Sequence, residues 1–139
     1  MGSKSTVWYN SIVRGDVSSI TIGEGTQIQE QVMIHANGLN NTEIPTIIGK
    51  NVVIGPHAIL HACTVHDGAM IGSKSTVLDG ATVGKGAMLA AGSILTQKKT
   101  IPDGQVREKI ILSIFYGNLD MMNFLCSCGL AFQRGTFEI

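Results

Sequence analysis

The sequence predicts an all-β chain folded as a parallel β-helix built from hexapeptide repeats. Aliphatic residues recur at steps of six, with a single step of five, at Ile48, Ile54, Leu60, Val65, Ile71, Val77, Val83, Leu89, Leu95 and Ile101. Glycine supplies 17 of the 139 residues, well above the usual ~7%. A helix needs apolar steps of three and four, and a half-buried strand needs every second residue, so a period of six indicates short strands joined by turns.

The six-residue unit defines a triangular coil. Three units form one turn of about 18 residues, in which the aliphatic side chain points into a narrow prism and a small residue lets the corner close. The small residues that follow four positions later are Ala58, Ala69, Ser75, Ala81, Ala87 and Ser93. A weaker copy of the rhythm appears at Val7, Val13, Ile22, Ile28 and Ile34. A β-sandwich is the alternative, but its turn signals recur every 8–12 residues.

The period divides the chain into two parts. The β-helix is predicted over residues 1–105, with a loop ejected from one corner at 36–46, where turn-forming residues and Pro45 interrupt the rhythm. Loops on rigid scaffolds often line functional sites. After residue 105 the period stops, so residues 106–139 are predicted to form an irregular or partly helical tail.

Composition excludes several classes of function. Ten Lys and Arg residues balance ten Asp and Glu residues, which argues against nucleic acid as the main partner. No window reaches the ~18 uncharged apolar residues of a membrane span, so no transmembrane segment is expected. Cys63, Cys126 and Cys128 do not make a disulfide framework and suggest a reducing compartment.

Histidines are the candidate metal ligands. His35 and His61 each directly follow an inward aliphatic residue, and this equal phase places both at equivalent positions on one prism face. They could share an ion such as Zn²⁺, with a third ligand from a neighbouring chain, or they could be ordinary surface histidines. His57 and His61 are four apart, but the hexad phase excludes a helical zinc pair. His66 follows a corner and is predicted to be solvated.

Two polar pairs accompany the histidines. Arg14 and Asp16 are predicted to form an ion pair across a subunit contact, because a planar guanidinium binds a carboxylate through two hydrogen bonds. Gln29 and Glu30 lie about one hexad before His35, and therefore one prism face away or near the site of a neighbouring chain.

These stretches together resemble the γ-class carbonic anhydrase family, including the γ-carbonic-anhydrase-like subunits of mitochondrial complex I. The resemblance covers roughly residues 7–105, about 70% of the chain. The matching segments include Arg14-Gly15-Asp16-Val17, Ile28-Gln29-Glu30, Ile34-His35, Pro45-Thr46-Ile47-Ile48-Gly49, Leu60-His61-Ala62-Cys63-Thr64-Val65 and Ala90-Ala91-Gly92-Ser93.

The resemblance implies a homotrimer or heterotrimer of left-handed β-helices that binds Zn²⁺, or Fe²⁺, between subunits through three histidines. His35 and His61 match two of these ligands and come from one subunit. The third normally follows the glycine that is Gly55 here. This sequence has Pro56 at that position and His57 one residue later. Proline cannot ligate a metal, so the site has two protein ligands unless His57 reaches it.

The resemblance also assigns roles to the two polar pairs. Arg14 and Asp16 match an inter-subunit ion pair near the metal. Gln29 matches the residue that orients the reacting water, and Glu30 stands where the family usually has aspartate.

The function implied is that of a γ-carbonic-anhydrase-like trimer subunit with impaired or absent reversible CO₂ hydration, extending to a structural role in mitochondrial complex I. An active zinc-dependent carbonic anhydrase and a hexapeptide-repeat acyltransferase, with His57 or His66 as its catalytic histidine, are the alternatives. The implied location is the matrix side of the mitochondrial inner membrane in a eukaryote and the cytoplasm otherwise.

Overall fold

The computed structural model describes residues 1–38 and 43–107, which wind into successive coils with three flat faces. Face A contains β1 (Thr6–Val7), β4 (Gln27–Ile28), β7 (Val53–Ile54), β10 (Met70–Ile71), β13 (Met88–Leu89) and β16 (Val106–Arg107). Face B contains β2 (Ile12–Arg14), β5 (Met33–His35), β8 (Ile59–His61), β11 (Thr76–Val77) and β14 (Ile94–Leu95). Face C contains β3 (Ile20–Ile22), β6 (Thr46–Ile48), β9 (Thr64–Val65), β12 (Thr82–Val83) and β15 (Thr100–Ile101).

Consecutive strands lie on different faces, and every strand pairs in parallel with the strand three places along the chain. The predicted parallel β-helix of hexapeptide repeats is therefore confirmed. No helix that is long and apolar enough to cross a membrane occurs within residues 1–38 and 43–107.

The core is a single column of aliphatic side chains inside the prism. Each of the ten aliphatic residues from Ile48 to Ile101 that keep the predicted phase is at most 1% exposed. In the first coil, Val7 and Val13 keep the same phase but are 39% and 42% exposed. They pair only with Ile28 and Ile34 of the second coil, so one side of each remains uncovered.

Adjacent residues of one strand should therefore differ sharply in their contribution to stability. Ile71 is 1% exposed and Met70, beside it in β10, is 42% exposed. We expect Ile71→Ala to lower the free energy of unfolding by about 2–5 kcal/mol. Met70→Ala should lower it by less than ~1 kcal/mol. Denaturant unfolding of both variants measures the difference. Equal losses of stability would contradict the assignment of Ile71 to the interior and Met70 to the surface.

The coil opens at the corner between β5 and β6. The backbone N–H of Asn37 donates to the carbonyl of Ile44 at 3.1 Å, and the N–H of Ile44 donates back at 2.8 Å. Thr46 Oγ1 then donates to the carbonyl of His35 at 2.7 Å and returns the chain to the prism. This closure places the base of the loop directly beside the end of β5.

Beyond residue 105, where the six-residue period ends in the sequence, strand β16 still pairs with β13. The coil therefore continues through Arg107. The rest of the predicted tail, 108–139, lies outside the described residues, as do Cys126 and Cys128.

Candidate functional site

His35 and His61 lie side by side on the outer surface of face B. They are the last residues of β5 and β8, and the parallel register pairs them directly. Their ring centroids are 4.9 Å apart, with the ring planes inclined by 42°. This is the adjacency that their equal phase in the sequence predicts. Two imidazoles at this separation can reach one ion between them.

One ring nitrogen of this pair could bind an ion. His35 Nε2 is buried, and among the described residues it has no hydrogen-bond partner. Asp16 Oδ1 is 3.8 Å from it, which is too long for a hydrogen bond. Buried polar atoms are almost always paired, so an unpaired ring nitrogen fits a position that binds an ion.

Asp79 contacts the second histidine and was missed by the sequence analysis. It follows β11 at the next corner, where an oxygen of its carboxylate hydrogen-bonds to Nδ1 of His61. Its other oxygen accepts a hydrogen bond from Asn37 Nδ2 at 2.8 Å. Asp79 lies 18 residues after His61, one residue beyond the 17-residue spacing that pairs β8 with β11. An acidic residue at the corner one coil later is the signal that could have found it.

Arg14 and Asp16 form an ion pair within one chain. The Nε atom of Arg14 lies 3.0 Å from both carboxylate oxygens, and Nη2 lies 2.9 Å from Oδ2. The guanidinium holds the pKa of Asp16 below its usual value. Arg14 is also the register partner of His35, so the pair stands next to the histidines. These contacts are made inside one chain, and the pairing across a subunit contact stays a prediction.

Gln29 and Glu30 occupy the opposite edge of face B. They form part of the corner that precedes β5, whereas His35 ends that strand. Glu30 Oε2 is buried, with no hydrogen-bond partner among the described residues. Within one chain, these two residues are therefore separated from the histidine pair by the width of face B.

Pro56 and His57 lie in the same column of corners as Gln29 and Glu30. His57 has a φ of 60°, and the equivalent residues Asn10, Gln31 and Lys74 have φ values of 57°, 56° and 56°. Proline followed by a residue with positive φ is typical of a type II turn.

The hydrogen bonds of this corner also accommodate proline. The backbone N–H groups of Gly55 and His57 donate to neighbouring coils at 2.8 and 3.1 Å. Proline between them removes neither bond, so Pro56 fits this corner although it cannot bind metal.

Residues 1–38 and 43–107 do not form a complete metal site on their own. Among the residues that the structure describes, no three His, Cys, Asp or Glu side chains converge on a point that could hold an ion. His66 is exposed at a corner between faces C and A, where its N–H donates to the carbonyl of Val83. The pair of His35 and His61 thus brings two possible ligands together, and the described part of the chain adds no third.

Cys63 is the buried thiol nearest in sequence to the histidine pair. It is 1% exposed, and burial raises the pKa of its thiol to about 12. We expect the folded protein to leave Cys63 unmodified by a thiol reagent at neutral pH, with rapid modification after unfolding. The thiol ionises near 9.0 in the unfolded chain but only near 12 when it is buried. The free energy of unfolding should therefore fall as pH rises from 9.0 towards about 12. Modification of this cysteine at equal rates in folded and unfolded protein would contradict its burial.

Comparison with known proteins identifies the family. Residues 62–97 match the family described as bacterial transferase hexapeptide (six repeats). The chain is 44% identical over 108 residues to gamma carbonic anhydrase 2, mitochondrial, of Arabidopsis thaliana, covering 76% of this chain and 39% of that protein. It is 37% identical over 79 residues to a carbonic anhydrase of Geobacillus kaustophilus, covering 57% and 41%. The chain thus spans less than half the length of these curated relatives.

A solved structure agrees with the hexapeptide-repeat fold and family. A hexapeptide transferase family protein from Anaplasma phagocytophilum superimposes with a TM-score of 0.74 and 36% identity, covering 92% of this chain and 74% of that one. The stacked faces, the hexapeptide repeats and the identity to gamma carbonic anhydrases agree with one another. The chain belongs to the γ-class carbonic-anhydrase-like family of hexapeptide-repeat proteins.

Proposed function

We propose that the chain is a γ-carbonic-anhydrase-like subunit of a trimer, with impaired or absent CO₂ hydration and a structural role. One observation carries this proposal. His35 and His61 stand together at one edge of face B, while the corner at the other edge presents Pro56 where the family resemblance expects a third histidine.

The positions of the two groups support a site shared between subunits. A cyclic assembly joins one surface of a subunit to a different surface of the next, so the histidine edge of one chain can meet the corner edge of its neighbour. An exposed apolar column lies between the two edges, formed by the register neighbours Ile12, Met33 and Ile59 at 52%, 45% and 42% exposure. Contiguous apolar surface of this kind is typical of a protein interface.

The chemistry of the donors supports a weakened site. Zn²⁺ or Fe²⁺ accepts neutral imidazole nitrogens, and bound Zn²⁺ lowers the pKa of water to about 7, which is the chemistry used in CO₂ hydration. In a homotrimer of this chain each interface would offer His35, His61 and the corner with Pro56. Two imidazoles hold an ion less firmly than three. When the ion is lost, Gln29 and Glu30, which lie in the same column of corners as Pro56, have no metal-bound water to act on.

The relatives also support a location. Gamma carbonic anhydrase 1 and 2 of Arabidopsis thaliana are named as mitochondrial proteins, and each is 44% identical to this chain. We place this chain in mitochondria if it comes from a eukaryote, with assembly on the matrix side of complex I as its structural role. Co-purification of the chain with respiratory-chain subunits tests that placement, and recovery of the chain free of them would contradict it.

The test of activity combines three measurements on one sample. Light scattering gives the mass of the assembly, metal analysis gives zinc per chain, and stopped-flow measurement gives the rate of CO₂ hydration. We expect a trimer, zinc below one per interface, and hydration no faster than buffer. Stoichiometric zinc with rapid hydration would overturn the proposal in favour of an active enzyme. Turnover of acetyl-CoA would instead favour an acyltransferase, the alternative suggested by the likeness to the hexapeptide transferase family protein.

A further inference from the structure

We propose that Asp79 is a positioning residue that holds His61 with its proton on Nδ1, so that Nε2 is the nitrogen presented to a metal. The metal part of this inference rests on the proposed shared site. The positioning part concerns contacts within one chain and can be tested without a metal.

The contacts of Asp79 determine the direction of the hydrogen bond. Its carboxylate touches Nδ1 of His61 through one oxygen and accepts from Asn37 Nδ2 at 2.8 Å through the other. An ionised carboxylate only accepts hydrogen bonds, so the proton of a neutral His61 ring must lie on Nδ1. The lone pair of the ring is then on Nε2. A carboxylate behind a histidine is a common means of fixing the tautomer and orientation of a metal ligand.

The base of the ejected loop supports the carboxylate from the other side. Asn37 forms the backbone bridge with Ile44 that closes the loop, and its side-chain amide donates to Asp79. Asp79 is 23% exposed and His61 is 31% exposed, so both groups are partly shielded from water. The orientation of His61 thus depends on the loop base as well as on the coil.

Comparison with two other aspartates shows that this arrangement is not a general property of the corners. Asp67 and Asp103 are also second residues of corners and are also followed by glycine. Each accepts a backbone N–H from the preceding coil at 2.7 Å, from Lys50 and Lys85 respectively. Asp79 contacts two side chains instead. A purely structural corner aspartate would be expected to cap the backbone, as the other two do.

The test compares Asp79→Asn with Asp103→Asn. An asparagine has one acceptor oxygen for the two donors, and its amide can donate to Nδ1 and shift the ring proton to Nε2. Long-range proton–nitrogen NMR of the metal-free protein, at alkaline pH where imidazole is neutral, reports which nitrogen carries the proton. Zinc affinity is measured by competition with a chromophoric chelator. The NMR signals that disappear in the His61→Gln variant are those of His61.

We expect the wild-type protein and Asp103→Asn to carry the His61 proton on Nδ1. Asp79→Asn should move it to Nε2 and weaken zinc binding by about 10–100-fold. A wild-type proton on Nε2, or an unchanged ring in Asp79→Asn, would overturn the proposal. If Asp79→Asn does not fold, as judged by thermal unfolding, Asn37→Ala tests the same support and should weaken zinc binding by a smaller factor.

The two proposals fail in different ways. If wild-type protein binds no zinc while its His61 proton lies on Nδ1, the shared metal site is wrong and the positioning by Asp79 stands. If zinc binds but Asp79→Asn leaves both the ring proton and the affinity unchanged, the site stands and Asp79 has no positioning role.

Discussion

Replacing Pro56 with histidine is expected to raise the affinity of the assembled protein for Zn²⁺ by more than ~100-fold. The gain should exceed the ~10–100-fold effect of an outer-shell partner, because a direct ligand is added. The corner can accept the change, since the bonds to neighbouring coils come from the N–H groups of Gly55 and His57. Titration with a competing chelator measures the affinity, and light scattering confirms that the assembly is unchanged.

His57→Asn is the matched control for this change. Asparagine already occupies equivalent left-handed corner positions at Asn10 and Asn51, with φ values of 57° and 52°, so the substitution preserves the turn. We expect His57→Asn to leave zinc affinity unchanged in both the wild-type and the Pro56→His protein. A large loss of zinc binding in His57→Asn alone would show that His57 is the third ligand and that the wild-type site is complete.

Removing either histidine of the pair should abolish the gain from Pro56→His. In that background we expect His35→Ala or His61→Ala to lower zinc affinity by at least ~100-fold, since each removes a direct ligand from a site of three. The rings are half-buried, at 22% and 31% exposure, so the β-helix itself should remain folded. His66→Ala, at an exposed corner, is the control and should have no effect on zinc affinity.

The double-variant comparison also tests whether the corner and the histidine pair act on the same ion. If they do, the effects of Pro56→His and His61→Ala on binding free energy will not add, because the added histidine contributes only when the pair is present. Additive effects would mean two separate zinc sites and would contradict a shared one.

The fold could be predicted from the sequence because the six-residue period specifies both the coil and its core. The ten aliphatic residues in phase are all buried. His35 and His61 are neighbours because residues at the same position of the repeat in consecutive coils lie side by side in the parallel sheet. The first coil is the exception. Val7 and Val13 keep the phase but are covered on one side only, and a repeat pattern does not specify how many neighbours a coil has.

The environment of the histidines was less predictable. Asp79 acts across one coil, and the step of five between Leu60 and Val65 obscures which corner residue lies above His61. Asn37 reaches Asp79 from a loop that has no hexad phase. Side-chain contacts between a loop and the next coil depend on three-dimensional closure, which the period alone does not describe.

The family resemblance predicts a third ligand at the position of Pro56, but the sequence does not show that the corner can accommodate proline. The left-handed residue at position 57 and the hydrogen bonds on either side of Pro56 define a turn that accommodates proline. Proline at position 56 therefore leaves the coil undisturbed, which agrees with the proposal of an intact scaffold that lacks a third ligand.

Anomalous diffraction at the zinc edge from crystals of the zinc-soaked assembly tests the shared site most directly. We predict a zinc peak at each occupied interface, about 2.0–2.1 Å from Nε2 of both His35 and His61 and facing the neighbouring subunit's corner at residues 55–58. Zinc bound elsewhere, zinc held by only one of these rings, or a histidine pair facing away from every other subunit would contradict the account.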